Sequence, residues 1–360
     1  MKKQKGDPTI VKQAMVLAAG LGTRLKPFTH EKPKPLIEVM GQPLLAYAFQ
    51  HLAALGVEKA IVNTHHLPDL IEEEVSTHPP PFDVAFSHEP ELLGTGGGIK
   101  KMAEKLDRSL GPILIINADA LIDLNVHALL ASHQESERMA TIVVKDVPDA
   151  KSYGLIGTDA AMRVTDFAGR NTPQGPVQKQ FMFCGVHLVE PRFFEWMPSK
   201  KEFCVNQIVY PALLEAGERV FGFEHTRYFC DVGTPDRHLS ANLDLLSKKE
   251  HCVHLDMFHS LNEKEPGIWL HPSAQVGADV NMHGPVLIQE GARIAPGVTL
   301  GPGVVIGKDV TVDSETSIQS SVFMQGASAH QATSFEQTIA SVHHTLALPD
   351  EPVSKMDAQA

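Results

Sequence analysis

The chain has 360 residues, enough for one large domain with a smaller companion or for two of ordinary size. Its 31 basic and 43 acidic residues leave a formal charge of −12, which excludes the broad basic face of a non-specific nucleic-acid binder. Cys184, Cys204, Cys230 and Cys252 are widely spaced with no CxxC pair, against a disulfide scaffold or zinc site and for reduced thiols in a cytoplasm. The opening "MKKQKGDPTIVKQA" lacks the apolar core of a secretory signal, and no apolar run reaches membrane length, so a soluble, cytoplasmic protein is expected.

From Ala14 short apolar runs alternate with amphipathic stretches. "AMVLAAG" reads as a buried strand, "PLLAYAFQHLAALGV" as a helix ended by Gly56, "KAIVNTHH" as a strand and "LPDLIEEEV" as a short helix. "FDVAFSHE" is another strand, "GTGGGIKKMAEKL" a glycine turn running into a helix, and "PILIINADAL" a second fully buried strand. Strands separated by helices imply crossovers and a mainly parallel sheet, with ligands at the strands' carboxyl ends. "LAAGLGTR" and "NADAL" both fall at such ends. Residues 151 to 224 are more mixed, with "FMFCGVHLV" as a strand and "NQIVYPALLEAG" as a helix; "RYFCDVGTPDRHLSANLDLLSKK" then gives strand, turn and helix.

The last third changes period. Every sixth residue reads Leu270, Val276, Met282, Ile288, Ile294, Leu300, Ile306, Val312, Ile318 and Met324, and four places after most anchors lies a small or β-branched residue such as Ala292, Val298 or Val304. A six-residue period with an aliphatic inner position predicts a parallel β-helix of about three coils. The expected organisation is a polar leader 1–13, an α/β domain 14–248, a connector 249–266, the β-helix 267–328 and a tail 329–360 that ends in disorder.

The opening glycines fit neither of two common phosphate grammars. A GxGxxG fingerprint fails at Leu25, and no Gly-Lys-Ser/Thr end occurs. What remains is a strand, a glycine turn, Thr23 and Arg24, and then Lys34 between Pro33 and Pro35. Gly20 and Gly22 free the backbone N–H groups of this turn to face an anion. Arg24 offers a planar fork, and Lys34 a compact charge on a stiff segment. Asp119 and Asp231 each follow an apolar strand, where an aspartate serves as a turn, a helix cap or a ligand. Glu89, just upstream of "LLGTGGGI", is placed to read a base edge.

"LAAGLGTRLKPFTHEKPKPLIEV" closely resembles the signature of the sugar-nucleotide pyrophosphorylases, the nucleoside-triphosphate:sugar-1-phosphate nucleotidyltransferases. The likeness continues through "LLGTGGGI", "NADAL", "FMFCGVHLVEP" and "YFCDVGTPDRHLSAN", over about Ala14 to Leu246. It implies a Rossmann-like α/β domain with a mainly parallel mixed sheet, followed by a short left-handed parallel β-helix. It implies further that Arg24 and Lys34 are catalytic, that Leu17, Ala19, Gly20, Gly22, Thr23, Gly94, Thr95, Gly96 and Gly97 bind the nucleotide, and that Asp119 and Asp231 bind Mg²⁺. Tyr153, Gly154 and Asn206 match sugar-side positions. Many relatives carry a Glu-Lys-Pro segment that is missing from "GRNTPQGPVQKQFMFCGVHLV", where Lys179 is the nearest lysine to take the sugar phosphate.

The form "LLGTGGGI" looks closest to mannose- or heptose-1-phosphate guanylyltransferases, which implies GTP and an aldose-1-phosphate as substrates. Alternatives are a uridylyl- or thymidylyltransferase on a glucose- or amino-sugar-1-phosphate, a hexapeptide-repeat acyltransferase, and a non-catalytic nucleotide-sugar-binding regulator. No nucleic-acid or membrane partner is expected, and a homo-oligomer through the β-helix is.

Overall fold

Gln13–Leu17 (β1), Lys59–Thr64 (β2), Asp83–His88 (β3) and Ile113–Asn117 (β4) are short apolar or alternating runs between helices, and in the computed structural model they form one parallel array ordered β4-β1-β2-β3. The structure describes residues 10–135, 137–147, 155–170, 175–247 and 261–349. The more mixed stretch adds Ala140–Lys145 (β5), Leu155–Thr158 (β6), Val164–Phe167 (β7), Lys179–Val189 (β8) and Val220–Glu224 (β9). β8 runs antiparallel to β4, β5 and β6, whereas β9 is parallel to β5, so the nine-stranded sheet is mixed.

Helices Leu44–Ala54 (α1), Pro68–Thr77 (α2), Gly94–Met102 (α3), Val126–Gln134 (α4) and Val205–Glu215 (α5) intervene between strands. Met15, Ile61, Ile113 and Ile115 of the sheet meet Ile99 and Met102 of α3 and Val209, Tyr210 and Leu213 of α5 in one fully buried cluster. Burying each such side chain is worth about 1.5–3 kcal/mol, which fixes the strands and hence the loops at their ends. His187 of β8 lies inside this core with its Nδ1 against the Tyr210 hydroxyl, and burial pushes its pKa down to about 3. No described helix is long and apolar enough to cross a membrane.

The described residues divide into two compact units, and the division cuts the glycine-rich opening stretch between Leu21 and Gly22. The first unit holds the chain up to Leu21 and Leu45–Phe229; the second holds Gly22–Leu44 and the chain from Cys230 onward. In the second unit, residues 22–44 form three single 3-10 turns, Thr23–Leu25, Phe28–His30 and Lys34–Leu36, that close on a short pair of strands, Glu38–Val39 and Gln42–Pro43. Helix Pro235–Ser247 (α6) holds that pair: Asn242 Oδ1 accepts from Met40 N (2.7 Å), and His238 Nε2 donates to Glu38 O (2.6 Å). Complete burial holds the His238 pKa below the ordinary imidazole range, so the ring stays neutral with its proton on Nε2.

The six-residue period folds as a parallel β-helix with three sheets per coil. One sheet stacks Ile268–Leu270, Val286–Ile288, Val304–Ile306, Ser321–Phe323 and Thr338–Ala340. The inner positions read from the sequence, Ile288, Ile294, Leu300, Ile306, Val312 and Ile318, are buried together with Ala292, Val298 and Val304.

The period slips twice, once in each of the last two coils. Ile288 pairs with Ile306, eighteen residues on, but Ile306 pairs with Phe323, seventeen on. The inner residue is therefore Phe323, not the expected Met324. The corner after Leu300 has three residues, Gly301 to Gly303, whereas the corner after Ile318 has only Gln319 and Ser320, the latter in the left-handed region (φ 44°). Gln337 repeats that conformation one coil later. The β-helix thus runs past the expected limit at 328 to Ala340, with alanines 327, 329 and 340 as its inner residues. A strand of opposite direction borders this sheet at each end: Asn262–Glu265, inside the expected connector, and Thr345–Ala347, inside the expected tail.

Candidate active site

In the first unit, three strand ends lie in register, with Leu17 of β1 between Asn63 of β2 and Asn117 of β4. Side chains then lock the loops that leave them. Ala18 N donates to Asn63 Oδ1 (2.7 Å), Asn63 Nδ2 donates to Glu89 Oε1 (2.7 Å), and Leu93 N donates to Glu89 Oε2 (3.0 Å). Glu89 is 1% exposed, so it is an internal brace between the β1 turn and the start of α3, not the base reader expected from its position. Asp119 lies two residues past β4, half-buried, and Ala118 N donates to Leu17 O (3.0 Å). Gly185, at φ 74° in β8, leaves room for Asn117, whose amide would sit 2.6 Å from a Cβ there.

The glycines of "LLGTGGGI" do not form a turn before the helix; they are its first turns. A Cβ on Gly96 would lie 2.3 Å from the Phe203 ring, one on Gly97 2.3 Å from Lys201 O, and one on Gly94 2.7 Å from Phe203 O. The segment 201–205 therefore packs directly on the backbone of α3. Gly96 N and Gly97 N both donate to Phe203 O (2.9 and 3.2 Å), and Thr95 Oγ1 accepts from Val205 N (3.1 Å). Gly94, Thr95, Gly96 and Gly97 thus open the helix side by side, and two of the N–H groups expected at the nucleotide already have a partner. Asn206 follows in the first turn of α5 with a buried Oδ1 that has no hydrogen-bond partner among the described residues. Lys179 is an exposed residue of β8 paired with Glu224 (3.7 Å). Tyr153 and Gly154 lie outside the described residues.

The second unit gathers the charged residues. Lys34 Nζ lies 3.6 Å from Asp231 Oδ1, while Arg24 Nη2 and Arg237 Nη1 lie 3.9 and 3.3 Å from Asp231 Oδ2. Local structure explains each position. Pro33 and Pro35 set Lys34 in a buried 3-10 turn, and Gly22, at φ 61°, lets the turn Thr23–Leu25 pass over it: a Cβ on Gly22 would lie 3.0 Å from Lys34 Cβ. Gly233 clears the Arg24 guanidinium in the same way, at 3.0 Å. Thr23 opens that turn in an exposed position, whereas Ala19 is buried at the end of β1 and Gly20 is exposed with open space where a Cβ would be.

Three cations meet at one carboxylate, and such a gathering of positive charge suits a polyanion. Arg237, six residues after Asp231 and carried by α6, has no counterpart in the sequence reading. Its signal was only the helical pattern after "GTP", which places it one turn from the strand end.

Among the described residues no three metal-ligating side chains cluster. Magnesium needs no such cage, since it binds through one or two carboxylates and substrate phosphates. Asp231, 27% exposed at the end of its strand, has the chemistry of such a carboxylate in the second unit, and Asp119, half-buried after a strand, has it in the first.

A mixed α/β sheet whose strand-end loops are braced by side chains marks the class of nucleotide-binding α/β enzymes. The model of the nucleotidyl transferase family matches residues 13–248, and that of the GMPPB C-terminal domain matches residues 282–347. A mannose-1-phosphate guanylyltransferase of Mycobacterium tuberculosis is 28% identical over 285 residues, covering 79% of this chain and 76% of that protein. A UTP–glucose-1-phosphate uridylyltransferase of Synechocystis is 27% identical over 301 residues, covering 78% and 75%. The crystal structure of HddC from Yersinia pseudotuberculosis superposes with a TM-score of 0.53 at 25% identity, over 64% of this chain and 98% of that one; HddC has also been solved in complex with GMP-PN. The chain belongs to the nucleotidyl transferase family and is a sugar-1-phosphate nucleotidyltransferase, joining a nucleotidyl group from a nucleoside triphosphate to a sugar-1-phosphate.

Proposed function

We propose that the nucleotide is GTP and the acceptor mannose-1-phosphate or a related aldose-1-phosphate. A phosphate oxygen of the sugar attacks the α-phosphorus, the bond to the β-phosphate oxygen breaks, and pyrophosphate leaves. The attacking oxygen is already ionised, so catalysis is positioning and charge neutralisation. Lys34 neutralises charge at the reacting phosphate, and Arg24 and Arg237 hold the triphosphate and the departing pyrophosphate. Leu17, Ala19, Gly20, Gly22 and Thr23 offer backbone and hydroxyl contacts to the nucleotide. Asp231 in the second unit and Asp119 in the first are the carboxylates suited to Mg²⁺, which when bound would withdraw electron density from the phosphates. Asn206, with its orphaned acceptor, is suited to a sugar hydroxyl.

The observation that carries the reading is the convergence of Arg24, Lys34 and Arg237 on Asp231. The choice of GTP rests on the GMPPB C-terminal match, the guanylyltransferase relatives and the GMP-PN complex of HddC. The uridylyltransferase relative favours a second reading, UTP with glucose-1-phosphate. Pyrophosphate release, measured with Mg²⁺ and each pairing of four triphosphates with a panel of sugar-1-phosphates, decides. Fastest turnover with GTP supports the proposal, fastest turnover with UTP selects the second reading, and no turnover with any pair rejects both. Consumption of acetyl-CoA would instead favour acyl transfer.

A further inference from the structure

Lys34 sits in a loop that the β-helix grips from both sides. Four residues after it, Glu38 is 5% exposed, and its Oε2 accepts from Gln325 N (2.8 Å) while its Oε1 pairs with Lys32. Two residues further, Met40 O accepts from Gln289 Nε2 (2.7 Å). Three residues before Lys34, Glu31 Oε1 accepts from Ser341 Oγ (2.7 Å) and His343 N (3.3 Å), with His344 Nε2 at 3.6 Å. Gln289, Gln325 and Ser341 follow the strands Val286–Ile288, Ser321–Phe323 and Thr338–Ala340 of a single sheet, so three coils present polar groups along one flank. All these residues belong to the second compact unit.

The last grip is the most exposed to change. Ser341 to His344 is the turn between Thr338–Ala340 and the reversed strand Thr345–Ala347, held by Ser341 N donating to His344 O (2.7 Å). Glu31 is the only link to this turn among the described hydrogen bonds of the loop, and it stands between Arg24 and Lys34 in sequence.

We propose that Glu31 is a positioning residue: the closing turn of the β-helix holds the catalytic loop through the Glu31 carboxylate and so sets the place of Lys34. The final coil then serves the reaction itself. This role of Glu31 rests on Lys34 being catalytic, as proposed above. Its physical basis is that a misplacement of about 1 Å at a reacting centre costs on the order of 10²-fold in rate.

The test uses the full chain with Glu31→Ala, Glu31→Gln and Ser341→Ala. In Glu31→Ala, amides of residues 32–37 should exchange with deuterium at least about tenfold faster, as expected for loss of charge-assisted bonds. Its kcat should fall about 10²-fold while KM for the triphosphate changes little. Glu31→Gln keeps an acceptor oxygen and should restore most of both, and Ser341→Ala should repeat the effect in weaker form without touching the loop. Wild-type exchange at residues 32–37 in Glu31→Ala, or wild-type kcat in that variant, overturns the proposal. A wild-type protein that releases no pyrophosphate refutes the functional reading, and the exchange measurement still decides whether the turn orders the loop.

Discussion

Lys34 Nζ stands 3.6 Å from Asp231 Oδ1 within one compact unit, although eight strands of the nine-stranded sheet intervene between them in sequence. The lysine side chain is 9% exposed and the aspartate 27%, so the cation is built into the protein and its partner faces outward. A buried cation whose carboxylate partner also meets two arginines is suited to phosphate oxygens.

Lys34→Ala should therefore lower the rate of pyrophosphate release by about 10²–10³-fold, the size found when one preorganised electrostatic group is removed. Asp119→Ala should fall in the same range. Circular dichroism should stay unchanged for both, because neither side chain is part of an apolar core. Rates within about threefold of wild type in either variant would refute the role given to that residue.

Arg237 pairs with Asp231 at 3.3 Å from a rigid helix. It meets the triphosphate in the ground state as well as in the transition state, so its loss should be felt mainly in binding. Arg237→Ala is expected to raise KM for the nucleotide about tenfold with kcat changed less, and Arg237→Lys to recover part of it. Steady-state kinetics at two salt concentrations check this; an unchanged KM removes Arg237 from the site.

The two glycine stretches should respond differently to a methyl group. At Gly96 a Cβ would meet the buried Phe203 ring at 2.3 Å, so Gly96→Ala should cost about 1–3 kcal/mol and lower the melting temperature even without nucleotide. At Gly20 nothing lies within 4 Å of the added atom, so Gly20→Ala should melt with the wild type and change only turnover. Equal melting temperatures for Gly96→Ala and wild type would mean that segment 201–205 does not pack on α3.

His187 gives the fold an acid limit. Its pKa is about 3 in the folded chain against 6.5 for a free imidazole, so between these values the unfolded chain binds the proton and the folded chain does not. The contribution is complete above pH 6.5 and is lost as the pH falls toward 3, at about 1.4 kcal/mol per pH unit from this one group. Urea unfolding of wild type and His187→Phe at a series of pH values between 4 and 6 should show a shallower slope for the variant. Parallel slopes would place the acid sensitivity elsewhere.

Much of this was legible from periodicity and motif. β1 to β4 fall where apolar runs lie between helical patterns, and the inner column from Ile288 to Ile318 can be read by counting sixes. The count failed at Ser320 because a corner lost one residue, and the following coils hide behind alanine, serine and histidine. Gly94 to Gly97 advertised a ligand loop, whereas they pack on Lys201 and Phe203, distant in sequence and marked by no motif. Local pattern likewise could not reveal that Glu89 turns inward to Asn63 or that Gly22–Leu44 folds with the chain after Cys230. Both depend on partners far along the chain.

The two reversed strands that border the β-helix bear on how copies of this protein could associate. An open ladder of parallel strands invites a second copy to continue it, and repetition of that contact would build a fibre. Asn262–Glu265 and Thr345–Ala347 each present the wrong polarity for such continuation on their sheet. On this sheet, continuation of the parallel ladder is therefore interrupted at both ends, which favours association through the flanks of the coils.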